Sequence, residues 1–161
     1  MPEMNRRQLL QGLVPGLVPE VGQATVAIAR DARWRDSSAR VGAILDRAVQ
    51  AATGTDSQLQ AWKSLTHPGE VVGLKVNCLS GHGGSTHVML VEAISERLQQ
   101  AGVRPRDILV FDRLNSDLES AGFRLQTNAS RVRVMGNDAL GYGRELLTYG
   151  DAGSLVSNAV L

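Results

Sequence analysis

The sequence predicts an α/β layered fold: a mostly parallel sheet of about four strands flanked by helices. Three observations carry this. Short β-branched or apolar runs alternate with stretches of helical period along the chain. Two of those runs are separated by a stretch long enough to hold a helix, as a parallel crossover requires. The composition, 43% hydrophobic and 20% charged, is that of an ordinary globular chain.

The first run, Thr25 to Arg30 (T-V-A-I-A-R), reads as a strand. Ser37 or Ser38 caps a helix in which Val41, Ile44, Leu45, Ala48, Val49 and Ala52 form one buried face, and Gly54 ends it. Asp56 or Ser57 opens a short helix to about Leu65. Glu70 to Cys78 reads as a central strand, with Val72, Leu74 and Val76 on one face and Gly73, Lys75 and Asn77 on the other. Ser80 to Ser85 is a glycine-rich loop, and Thr86 to Ala101 a helix stopped by Gly102. Asp107 to Asp112 is a further strand, Asn115 to Gly122 a short helix, and Arg131 to Met135 the last strand. From Asp138 onward periodic signals are few.

Composition excludes several functions. The chain has 161 residues, enough for one domain with a sizeable core. Seventeen basic residues face sixteen acidic ones, a net charge of +1, so no basic field exists for nucleic acid. Aromatic residues make up 4%, too few for base-stacking platforms. The single cysteine, Cys78, excludes an intrachain disulfide framework, a self-contained iron–sulfur cluster and a multi-thiolate zinc site. No apolar run reaches the roughly 20 residues of a membrane span.

Residues 1–24 differ from the rest. Asn5-Arg6-Arg7-Gln8-Leu9-Leu10 resembles a twin-arginine export signal, and the apolar stretch to Pro19 suits the segment that follows such a pair. Gly22-Gln23-Ala24 offers small residues for cleavage. The expectation is an exported protein of the bacterial periplasm or cell envelope, with residues 25–161 as a single α/β domain. Losing the leader removes Glu3, Arg6, Arg7 and Glu20 and leaves the net charge unchanged.

In open α/β sheets, ligands sit beyond the carboxyl ends of the strands. One such end supplies Asn77, Cys78 and the loop Ser80-Gly81-His82-Gly83-Gly84-Ser85-Thr86-His87. The other supplies Asp112, Arg113 and Asn115. Glycines let backbone approach a ligand, and a helix start capped by Ser85 or Thr86 presents free N–H groups to an anion. The loop lacks the spacing of a P-loop or a dinucleotide fingerprint. The expected ligand-binding residues are Asn77, Gly83, Gly84, Ser85, Thr86, Arg113 and Asn115. His87, Asp112 and Lys75 are the candidates for catalysis, with His87 the best placed for proton transfer. His82, His87 and Cys78 form a weak metal-ligand set, since no paired-ligand spacing accompanies them. Plain alternatives stand beside these: a connecting loop, capping histidines, Cys78 as a small buried hydrophobe, and a structural Lys75–Asp112 ion pair.

Val72-Gly73-Leu74-Lys75-Val76-Asn77-Cys78, Ser85-Thr86-His87 and Val91-Glu92-Ala93-Ile94 resemble the bacterial and archaeal family called domain of unknown function 362. Ala101-Gly102-Val103, Ile108 to Arg113 and Asp117 to Phe123 extend the resemblance across roughly residues 25–160. It implies redox company, because some members carry fused ferredoxin-type modules, for which this chain has no cysteine set. It also implies a longer domain, of which this chain is the N-terminal portion, since Gly153 to Ser157 resembles the middle of the family pattern. No cofactor and no reaction is named by it.

The functional expectation is an exported domain that binds a small anionic or metal-containing ligand at the rim, as part of a redox or metal-dependent enzyme. The alternative is a non-catalytic partner or assembly domain that docks on a redox protein through the glycine loop.

Overall fold

A computed structural model describes residues 25–149 and 152–159. The export-signal reading of residues 1–24 lies outside them. The chain is α/β, with three parallel strands and flanking helices.

Helix α1 (Ser38–Thr53) starts where the Ser37 hydroxyl accepts the Arg40 amide, and ends at Gly54, whose φ of 68° favours glycine. Helix α2 (Gln58–Lys63) is capped by Ser57. Strand β1 (Val72–Lys75) leads through a single helical turn, α3 (Gly81–Gly84), to helix α4 (Val88–Gln100). Strand β2 (Ile108–Asp112) follows, then helix α5 (Asn115–Ser120), strand β3 (Arg133–Gly136) and the short helix α6 (Asn137–Leu140).

The sheet order is β1-β2-β3, all parallel. Register runs from Val72 opposite Ile108 to Lys75 opposite Phe111, and from Leu109 opposite Arg133 to Asp112 opposite Gly136. Every residue of β2 is buried, as expected for the middle strand of a covered parallel sheet. Ile108 and Val110 share the face on which α4 packs. Ile108 joins Leu98 and Trp62, and Val110 joins Val91, Leu118 and Phe123.

The helices are locked to each other by one buried carboxylate. Asp46 of α1 accepts Trp62 Nε1 of α2 at 3.0 Å and both Nε and Nη2 of Arg97 in α4 at 2.9 and 3.0 Å. The guanidinium reaches it by crossing Gly42, where a Cβ would stand 2.9 Å from Arg97 Nη2.

Three strand expectations are corrected. β1, expected as a central strand over Glu70 to Cys78, is an edge strand of the described sheet and spans Val72–Lys75. Thr25 to Arg30 is not a strand, so the parallel sheet has three strands rather than four. Val26 and Ile28 are 81% and 72% exposed. β-branched residues favour strands only where a pleated, half-buried surface receives them, and none of the described residues offers one to this run. The tail, in turn, carries structure. Strands β4 (Tyr142–Tyr149) and β5 (Ala152–Ser157) pair antiparallel as a separate two-stranded sheet. Ser157 Oγ donates to Asn137 Oδ1 at 2.7 Å, tying the hairpin to α6.

No helix among the described residues is long and apolar enough to cross a membrane.

Candidate functional site

The carboxyl ends of β1 and β2 meet at Asp112. Its carboxylate is buried and fully engaged. Oδ1 lies 2.6 Å from Lys75 Nζ, and Oδ2 accepts the Cys78 amide at 2.7 Å. Burial alone would raise the Asp112 pKa. The Lys75 ammonium and the amides of Arg113 and Cys78 outweigh it and hold the carboxyl below its ordinary value. The expected strand register thus brings Lys75 and Asp112 together. Lys75 also donates to the Val76 carbonyl, while its side chain stays 55% exposed. An ammonium has three N–H donors, and the third has no protein partner among the described residues.

The loop after β1 is closed by a reciprocal pair. The Asn77 amide donates to Thr86 Oγ1 at 3.0 Å, and the Thr86 amide to the Asn77 carbonyl at 2.8 Å. Asn77 Oδ1 accepts the Leu79 amide. This corrects the expected helix cap. Because Thr86 spends its hydroxyl on the loop, the cap position falls one residue later, on His87, and α4 begins at Val88 with no side-chain cap. The uncapped start leaves positive partial charge at the rim. Ser85 Oγ is enclosed nearby without a hydrogen-bond partner.

The glycines have separate reasons. Gly81 has a φ of 61°, and a Cβ on Gly84 would stand 2.7 Å from the Ser80 Cβ. A Cβ on Gly83 would meet nothing within 4 Å, so packing does not demand glycine there.

Other expected residues are placed differently. Arg113 pairs with Asp117 at 3.1 Å on the surface. Asn115 joins the ends of β2 and β3: its Oδ1 accepts the Gly136 amide at 2.6 Å, and its own amide donates to Asp138 Oδ1 at 3.0 Å. The His87 ring turns to Trp34, 4.7 Å away in an edge-to-face contact. His82 lies over Gly122, where a Cβ would be 3.1 Å from its ring. No group of three or more His, Cys, Asp or Glu that could hold a metal exists among the described residues, so His82, His87 and Cys78 do not form a ligand set. Cys78 is buried, and burial, followed by the neighbouring Asp112, pushes its thiol up to about 11. It is a small core residue rather than a thiolate.

Sequence reasoning missed Asp138 and Gly136. A Cβ on Gly136 would stand 2.2 Å from Asp138 Oδ1 and 2.3 Å from the Asn115 nitrogen. The only available signal was the small residue at the carboxyl end of β3, followed by Asn137-Asp138.

The described strand order runs in one direction, without the reversal that opens a crevice at a switch point. At this rim, Lys75 and the start of α4 are the features left with N–H groups that lack a side-chain acceptor.

Comparison with protein-family models, with curated proteins and with solved structures finds no match. The family resemblance accordingly rests on the residues quoted for it.

Proposed function

We propose that this chain is an exported ligand-binding domain that takes a small anion at the rim of its sheet. One observation carries the reading: the Lys75 ammonium is fixed by Asp112 and Val76 but keeps a donor unpartnered, on the same rim as the uncapped start of α4. Gly83, Ser85 and Arg113 complete the expected contacts. An anion is favoured over a metal because the rim offers N–H donors and no cluster of metal-ligating side chains among the described residues.

Asp112 is assigned a positioning role. It holds Lys75 and the Cys78 amide, and both its oxygens are occupied. His87 is not assigned to the rim, since its ring contacts Trp34.

Calorimetric titration of the full chain with inorganic phosphate tests this. Saturable binding is expected, weakened about ten-fold by Lys75→Gln and less by Arg113→Gln, the range of one charge-assisted hydrogen bond. Lys75→Gln retains a donor toward Asp112, and a denaturant melt checks its fold. Absence of phosphate binding to the native chain, or equal binding by Lys75→Gln, rejects the rim.

A second reading, docking on a redox protein, has one observation in its favour. Leu79, in the rim loop, is 66% exposed. Leu79→Ser would then weaken association with the partner while leaving phosphate titration unchanged.

A further inference from the structure

A second concavity meets the rim only at the start of α4. It is a groove of about 440 Å³ between α1, the first turn of α4 and the chain at residues 29–34. That volume falls within the range of small-ligand sites, roughly 300–1,000 Å³. The floor is aliphatic, formed by Val41, Ile44, Leu45 and Ala48 of α1 with Leu90 of α4. Trp34 and His87 wall it with their edge-to-face rings.

The lip differs in chemistry from the floor. Asp31 stands there, but its carboxylate is spent: Oδ1 accepts the Arg33 amide at 2.8 Å and Oδ2 takes Arg40 Nη1 at 2.9 Å. Arg35 stacks over the Trp34 ring, 4.2 Å from its centroid. Arg30 lines the groove, is exposed, and has no carboxylate partner among the described residues. Between residues 30 and 40, four arginines (Arg30, Arg33, Arg35, Arg40) stand against two aspartates (Asp31, Asp36). The lip is cationic and the floor is dry.

We propose that this groove binds a small amphipathic carboxylate, its hydrocarbon body against α1 and its head group at Arg30. Two features select that class. The aliphatic floor presents no hydrogen-bond donor or acceptor from its side chains, so it suits an apolar body. The excess positive charge at the lip, with Arg30 unpaired, selects an anionic head over a neutral or cationic one. An arginine presents a planar fork matched to a carboxylate. The groove shares with the rim only the start of α4, since Lys75, Gly83, Ser85 and Arg113 do not line it.

The test is calorimetric titration of the full chain with decanoate and with decan-1-ol, each below the concentration at which it self-associates. Decanoate is expected to saturate at one molecule per chain. Arg30→Ala, an exposed residue whose loss leaves the core intact, is expected to weaken decanoate about three- to five-fold, as for an exposed ion pair. Decan-1-ol should change less than two-fold in the same variant. Ala48→Trp, which fills the floor, should weaken both ligands, with its melt checked against the native chain. Lys75→Gln should bind decanoate as the native chain does, which separates this site from the rim. Failure of decanoate to saturate, equal decanoate binding by Arg30→Ala, or a groove occupied by a second copy at equilibrium would overturn the proposal. Adsorption to anionic vesicles without decanoate binding would overturn it too, and would make the face a membrane-contact surface.

Discussion

Asp112 Oδ2 accepts the Cys78 amide at 2.7 Å while Oδ1 of the same carboxylate holds Lys75 Nζ at 2.6 Å. One buried side chain at the end of β2 thus fixes both the last residue of β1 and the loop that leaves it. The rim owes its shape to this pair of contacts.

Removing the carboxylate leaves a buried amide and an ammonium without their acceptor. Asp112→Ala is expected to cost about 1–3 kcal/mol, chiefly for the buried Cys78 amide left without an acceptor, because the half-exposed Lys75 ammonium turns to water. Asp112→Asn, which keeps one acceptor, should cost less. A fall in the urea midpoint with an unchanged slope checks this.

The same contacts set an acid dependence. The Asp112 carboxyl titrates below its ordinary value in the folded chain, so its contribution is fully present above the unfolded value of about 3.9. It is lost as pH falls through the lower folded value. Urea midpoints measured from pH 6 down to pH 2 should fall more steeply for the native chain than for Asp112→Asn. Parallel profiles would contradict the assignment.

Cys78 titrates in the opposite sense. Its thiol is pushed from an ordinary value of 9.0 to about 11, so the folded chain retains a proton that the unfolded chain releases. Stability is therefore expected to fall as pH rises between those values, by at most about 3 kcal/mol. Thiol-reactive reagents at pH 8 should label Cys78 only after denaturant is added.

Asp46 is the corresponding lock among the helices. Asp46→Ala strands the Arg97 guanidinium and the Trp62 indole N–H, and should cost about 3–5 kcal/mol. Gly42→Ala should cost less, about 1–3 kcal/mol, because only the end of the Arg97 side chain must shift to admit the methyl group. Thermal melts of the two variants order the effects.

Much of this fold is legible from period and punctuation. α1 announces its ends by Ser37 and Gly54 and its apolar face by period, but of the expected buried residues only Val41 is buried, Ile44, Leu45, Ala48 and Val49 are half-buried, and Ala52 is exposed. β2 is a short apolar run, and the structure buries all of it. The Lys75–Asp112 contact follows once β1 and β2 are taken as parallel neighbours. Thr25 to Arg30 misleads because alternation signals a strand only if a neighbour's backbone is there to pair with it. The hairpin of β4 and β5 was not legible, because the sequence from Asp138 onward lacks the clean alternation that marks strands. The placement of His87 was not legible. Sequence puts it at the first turn of the helix that follows the loop, while its contact with Trp34 depends on how the chain before α1 lies across α4.

The glycines of the loop separate folding from binding. Gly81→Ala forces a residue with a Cβ into positive φ and should cost about 1 kcal/mol or more of stability. Gly83→Ala meets no atom and no positive φ. It should keep or slightly raise the melt and, on the rim proposal, weaken phosphate by placing a methyl group on the proposed contact.

The rim reading is tested most directly by mapping inorganic phosphate onto the backbone amides of the full chain by heteronuclear NMR. Saturable shifts are expected at Ser85, Val88 and Met89, with half-saturation at about 1 mM or below, and Lys75→Gln should need about ten times more phosphate for the same shifts. Shifts that are absent or fail to saturate, or that centre on residues 29–34 rather than on the start of α4, would contradict the account.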